Sequence, residues 1–167
     1  MADHESIRKL AQALVDELTA AGTAVATAES CSGGWIAKAI TDVPGSSAVF
    51  GYGIVSYSNG AKEAMLGVQH QTLEDHGAVS EAVVEEMAKG SLRLSGADIA
   101  VAVTGVAGPD GGTADKPVGT VCFGWAVRDN SKVKTATSCE HFGGDRDLVR
   151  ELTVVHALQG LRERIKS

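Results

Sequence analysis

The sequence predicts an α/β fold: three α/β/α layers around a mixed, mostly parallel sheet that includes an antiparallel hairpin. Three observations predict it. Apolar residues at helical spacing alternate with short β-branched runs along the chain. Glycine-bearing polar turns follow strand-like runs around residues 30–34, 105–112 and 143–146. Towards the carboxy terminus, two β-patterned runs flank a turn at Asp129-Asn130, which makes one pairing antiparallel.

The elements follow in order. Ile7, Leu10, Leu14 and Leu18 line one face of a first helix that Gly22 can end. The short run Thr23 to Thr27 is β-tolerant and delivers Glu29 and Ser30 to a turn. A second helix then carries Trp35, Ile36, Ala39 and Ile40 on one face and stops at Asp42-Val43-Pro44-Gly45. Val49 to Ser56 reads as a strand with a bulge or bend at Gly51 or Gly53, and Asn59 can cap a short helix over Gly60 to Leu66. After a second short amphipathic piece at Gln71 to Asp75, Ser80 caps a longer helix that Gly96 ends. Ile99, Val101 and Val103 alternate with Ala100, Ala102 and Thr104, a strand with one bulky face and one small face that leaves room for a helix. Val121, Phe123, Trp125 and Val127 mark the long hairpin strand, and Lys132 to His141 the return strand. Asp145 can cap the last helix, for which Leu148, Leu152, Val155 and Leu161 form the expected buried face.

Length and composition narrow the function classes. The 167 residues suit one domain over residues 1–167, with no linker, internal repeat or low-complexity tract. A formal charge of −6 and the lack of any Lys/Arg run argue against a nucleic-acid partner. The stretch from Met1 to Arg8 is polar and no apolar run approaches membrane-spanning length, so a soluble, cytoplasmic chain without a membrane partner is expected. Cys31, Cys122 and Cys139 are odd in number and lack a Cys-x-x-Cys pair. Neither a disulfide framework nor a zinc site is expected, and the thiols should be reduced. The five histidines show no metal-ligand spacing.

The turns carry the chemistry. They supply a hydroxyl beside a carboxylate (Ser30, Glu29), a phenol close to an ammonium (Tyr57, Lys62) and an arginine among backbone donors (Arg146, Gly143, Gly144). A serine hydroxyl needs a base, and no histidine lies near these motifs, so a Ser/Lys/Tyr arrangement is favoured over Ser/His/Asp. The N–H groups of Ser32, Gly33 and Gly34 could stabilise an oxyanion, with Glu29 orienting the turn and Ser32 capping the following helix. Such a set suits amide hydrolysis, while Arg146 and the Gly105 to Gly112 loop suit a phosphate. The same features also fit a nucleotide-binding module without turnover, and attack by Ser32, Ser46 or Ser47 in place of Ser30 stays open.

Several motifs in sequence resemble the CinA carboxy-terminal family over nearly the whole chain. They are Ala28-Glu29-Ser30-Cys31-Ser32-Gly33-Gly34, Tyr57-Ser58-Asn59 with Lys62, and His76-Gly77-Ala78-Val79-Ser80. The run from Thr104 to Gly112, Lys116-Pro117-Val118-Gly119-Thr120-Val121 and Gly144-Asp145-Arg146 complete the set. The resemblance implies an amidohydrolase of pyridine-nucleotide salvage that releases ammonia from nicotinamide mononucleotide and leaves nicotinate mononucleotide. It implies no metal, no cofactor and a homodimer. It makes Ser30 the nucleophile, Lys62 its base and Tyr57 an assistant, with Thr104, Gly105 and Arg146 holding the nucleotide. Ala107, Ser46 and Ser47 are further substrate-binding candidates. Longer members carry an additional amino-terminal domain linked to pyrophosphate hydrolysis, an activity not expected here.

Overall fold

Asp3 accepts a hydrogen bond from the Ser6 N–H at 2.7 Å and so caps helix α1, His4–Ala21. The structure, a computed structural model, describes residues 3–165. Met1 and Ala2, which belong to the polar amino-terminal stretch, and Lys166 and Ser167 lie outside the described residues. After α1 come β1 (Val25–Glu29), α2 (Trp35–Thr41), a 3-10 turn (Ser46–Ala48) and β2 (Phe50–Val55). They are followed by α3 (Asn59–Leu66), α4 (His70–His76), α5 (Glu81–Ser95) and β3 (Ile99–Gly105). The chain closes with β4 (Thr120–Asp129), β5 (Lys132–His141) and α6 (Arg146–Ile165).

The five strands lie in the order β2-β1-β3-β4-β5. β2, β1 and β3 run parallel, and β4 and β5 are antiparallel additions, which is the mixed sheet the hairpin pattern predicts. Ile99, Val101 and Val103 face the layer of α1, α2 and α6, whereas Ala100 and Ala102 face α5. The small face of β3 therefore does carry a helix. Close approach on β4 is made possible by glycine on both sides. A Cβ on Gly124 would stand 2.7 Å from the Val84 carbonyl oxygen of α5, and one on Gly160 of α6 would stand 2.3 Å from the Trp125 ring. Arg162 of α6 grips Glu17 of α1 through Nη2 at 2.6 Å and closes that layer. Among the described residues, no helix is long and apolar enough to cross a membrane.

Four expectations are corrected. Leu148, Leu152 and Val155 are only half-buried, because α6 is rotated to put Val149, Val154, Ala157, Leu158, Gly160 and Leu161 against the sheet. Ser58, not Asn59, caps α3, accepting from the Ala61 N–H at 3.1 Å. Gly34 stands at the cap position of α2 with no side-chain cap bond, so Ser32 does not cap it. Cys122 and Cys139 are joined in a disulfide, since the hairpin register sets them directly opposite each other. Cys31 is the free, buried thiol.

Candidate active site

Parallel strands deliver their carboxy-terminal ends to one edge of the sheet, and here that edge gathers the polar turns. β1 ends at Glu29 and hands on Ser30, β2 ends at Val55 and hands on Ser56 and Tyr57, and β3 ends at Gly105. Because β4 starts opposite Gly105 and β5 ends opposite Thr120, the loop before α6 returns to the same edge with Arg146. These segments enclose a cavity of about 300 Å3 lined by Ser30, Cys31, Tyr57, Lys62, Thr104 and Arg146 among others. Gly105, Ala107 and Asp110 also line it. A larger hollow of about 470 Å3 lies near the opposite end of β3, around Asp98, Trp125 and Arg128.

Lys62 is the chemical centre of the smaller cavity. Its side chain is 2% exposed, and its Nζ lies 3.0 Å from Ser30 Oγ, 3.0 Å from the Ser56 carbonyl oxygen and 3.4 Å from that of Tyr57. None of these partners is a carboxylate. Burial therefore pulls the Lys62 ammonium down from its ordinary value, since a charge withdrawn from water without a counterion is expensive. The ammonium has three donors for these three acceptors, and once it loses a proton the amine keeps two N–H donors for the carbonyls and turns a lone pair to the Ser30 hydroxyl. The adjacent Cys31 thiol is pushed up to about 12, foremost by burial, so it stays protonated and is the poorer nucleophile.

Glu29 turns away from Ser30. It is fully buried, and its carboxylate accepts from Ser32 Oγ at 2.7 Å and from the N–H groups of Ile36 and Ala37 at 2.8 and 3.0 Å. A carboxylate at a helix start satisfies orphan donors and meets the positive end of the dipole. Burial still raises the Glu29 carboxyl, with these hydrogen bonds opposing the rise. Glu29 thus does the capping expected of Ser32, and Ser32 serves as its donor.

The oxyanion donors also move. Gly33 N–H is taken by the Ser30 carbonyl at 3.0 Å, and the Gly34 N–H is turned to the Glu29 carboxylate. Both glycines, with φ of 63° and 96°, line a second hollow behind the turn together with Trp35 and Arg150. The Ser32 N–H has no acceptor among the described residues, and the Cys31 N–H meets only the sulfur of its own side chain. Both adjoin Ser30; Cys31 lines the cavity, and Ser32 is fully buried beside it.

Tyr57 and Arg146 meet at the cavity rim. Arg146 donates from Nη1 to the Gly108 carbonyl at 2.8 Å and from Nη2 to the Tyr57 hydroxyl at 3.2 Å. The Tyr57 phenol is 60% exposed and belongs to Arg146, while Lys62 is served by the Tyr57 carbonyl. Thr104 Oγ1 donates to the Ala78 carbonyl at 3.0 Å, and the N–H groups of Ala107 and Gly108 lack acceptors among the described residues. Ser46 and Ser47 are not brought here. They sit in the 3-10 turn before β2, and the carbonyl of Val49, just after that turn, accepts from the N–H of Val25, the first residue of β1. That is the opposite end of the sheet, roughly 16 Å away at ~3.3 Å per strand residue. Two participants had no recognisable sequence signal: the Ser56 carbonyl, which acts through the backbone, and Arg150, one of many charged residues on a helix.

Comparison with known proteins adds an independent line. A model of the CinA C-terminal domain matches residues 7–165. A nicotinamide-nucleotide amidohydrolase of Enterobacter agglomerans is 57% identical over 151 residues, covering 90% of each chain. The protein of the same name from Escherichia coli K12 is 52% identical over 161 residues, 96% of this chain and 95% of that one. The crystal structure of a competence damage-inducible protein from Klebsiella pneumoniae superposes with a TM-score of 0.90 at 41% identity, covering 96% of this chain and 97% of that one.

Proposed function

The chain belongs to the CinA C-terminal domain family and is an amidohydrolase, and we propose that it deamidates nicotinamide mononucleotide through an acyl-enzyme on Ser30. The observation that carries the mechanism is the 3.0 Å contact between Ser30 Oγ and a buried Lys62 that has no carboxylate partner. Neutral Lys62 takes the Ser30 proton as Oγ attacks the carboxamide carbon. The N–H groups of Cys31 and Ser32 receive the oxyanion of the tetrahedral intermediate. As that intermediate collapses, the C–N bond breaks, and Lys62 returns the proton to the departing nitrogen, which leaves as ammonia. Water then attacks the ester carbon and gives a proton to Lys62. The C–O bond to Ser30 breaks, Oγ recovers the proton, and nicotinate mononucleotide is released.

The remaining residues hold the substrate. Tyr57, steadied by Arg146, forms an aromatic wall at the cavity mouth, and Thr104 and Gly105 line its floor. The free N–H groups of Ala107 and Gly108, with the remaining donors of Arg146, supply a phosphate site. A binding module without turnover would have no use for a desolvated lysine on a serine hydroxyl. A homodimer in the cytoplasm is part of the same proposal, and light scattering in solution tests the dimer. The activity itself is tested by incubating the purified protein with nicotinamide mononucleotide from pH 6 to 9. Ammonia and nicotinate mononucleotide should appear in equal amounts, and no release above a buffer blank would sink the proposal.

A further inference from the structure

Arg150 stands one helical turn after Arg146 on α6, and on that spacing both side chains reach the same edge of the sheet. It has no carboxylate within ion-pair distance among the described residues. Its guanidinium instead donates from Nε to the Cys31 carbonyl at 3.2 Å and from Nη2 to the Ser32 carbonyl at 3.1 Å. The Trp35 ring centroid lies 5.8 Å from its Cζ. A Cβ on Gly33 would come within 3.2 Å of Nη2, so the glycine leaves the room that the guanidinium occupies. A partly buried cation is thus committed to two carbonyls of the nucleophile turn.

Peptide planarity gives this grip a consequence. In a trans peptide the C=O and the next residue's N–H point in opposite directions. Holding the Ser30 carbonyl by Gly33 N–H fixes the Cys31 N–H, and holding the Cys31 carbonyl by Arg150 fixes the Ser32 N–H. Arg150 grips from the hollow behind the turn, so the Ser32 N–H is turned away from it. A charged donor on the carbonyl also polarises the same peptide and makes its N–H the stronger donor.

We infer that Arg150 is a positioning residue for the acyl-transfer step, aiming and polarising the Ser32 N–H, which receives the oxyanion together with the Cys31 N–H. The inference rests on the amidohydrolase reading above. It assigns Arg150 no contact with substrate, so substitution should lower kcat and leave KM unchanged. Arg150→Lys keeps the charge but cannot span two carbonyls, and Arg150→Met keeps much of the stem and removes the charge.

The test measures kcat and KM for nicotinamide mononucleotide, with thermal unfolding of each variant. Both variants should lose about 10- to 100-fold in kcat, less than outright removal of an oxyanion donor, with KM within twofold of wild type. Added guanidinium should restore part of the kcat of Arg150→Met and none to the wild type. If Arg150→Met does not fold, Arg150→Lys alone decides by the same criterion. A kcat within twofold of wild type in a folded variant, or a loss carried by KM, overturns the inference. A wild-type protein that releases no ammonia overturns the amidohydrolase reading instead, so the two failures are distinguishable.

Discussion

Replacing Lys62 with methionine tests the buried amine through stability alone, without reference to turnover. In the unfolded chain Lys62 binds its proton with the ordinary value of 10.5, and in the folded chain burial lowers that value. Between the two values the unfolded state carries the extra proton, so wild-type stability rises with pH across that window. Above 10.5 both states hold a neutral amine and the penalty vanishes. Below the folded value the penalty is complete and constant. Methionine is similar in length and carries no proton. It forfeits the Lys62 bonds to the Ser56 and Tyr57 carbonyls and to Ser30, at ~1 kcal/mol each, but that loss is nearly independent of pH. Other titrating groups are common to both proteins and cancel. The stability of Lys62→Met minus that of wild type should therefore fall with rising pH, by at most about 1.4 kcal/mol per pH unit inside the window. Urea unfolding followed by circular dichroism at pH 7, 8, 9 and 10 measures it. Parallel stability curves across that range would refute a lysine whose hold on its proton burial weakens.

Further outcomes follow from the same geometry. The kcat/KM for nicotinamide mononucleotide should rise with pH on a limb set by Lys62 and lying below the ordinary lysine value, and Lys62→Arg should remove turnover because arginine stays charged. Arg146→Ala should raise KM more than it lowers kcat, since Arg146 stands at the cavity rim, and a loss confined to kcat would contradict the binding role. Glu29→Ala strands the Ile36 and Ala37 N–H groups and the Ser32 hydroxyl, and urea unfolding should show a loss of about 3 kcal/mol or more. Gly160→Ala forces a methyl into the Trp125 ring and should lower stability by ~1–3 kcal/mol in the same assay.

Much of the scaffold is legible in the sequence because it follows from local periodicity. The alternation at Ile99 to Thr104 and the stripe from Ile7 to Leu18 are set by neighbours a few residues away, and both elements form where the pattern places them. Ser30 beside Lys62 was suggested by residue chemistry, yet their distance depends on how β1, β2 and α3 meet, which no spacing encodes. Ser46 and Ser47 show how proximity in sequence misleads. They follow Ser30 closely, but α2 runs back along β1, so a loop between that helix and the next parallel strand lies at the opposite end of the sheet. Glu29 escapes because its partners lie seven and eight residues on, across a turn built on two left-handed glycines. The cysteine pair was within reach. With Asp129 opposite Lys132 in the hairpin, counting seven residues back along each strand sets Cys122 opposite Cys139. Counting cysteines alone concealed what the register contained.

The central claim is a covalent intermediate on Ser30, and acid quenching during turnover of nicotinamide mononucleotide tests it most directly. After digestion, mass spectrometry should find the acyl group on the peptide that contains Ser30, and Ser30→Ala should yield neither the adduct nor appreciable ammonia. An adduct on a different peptide, or near-native ammonia release by Ser30→Ala, would contradict the account.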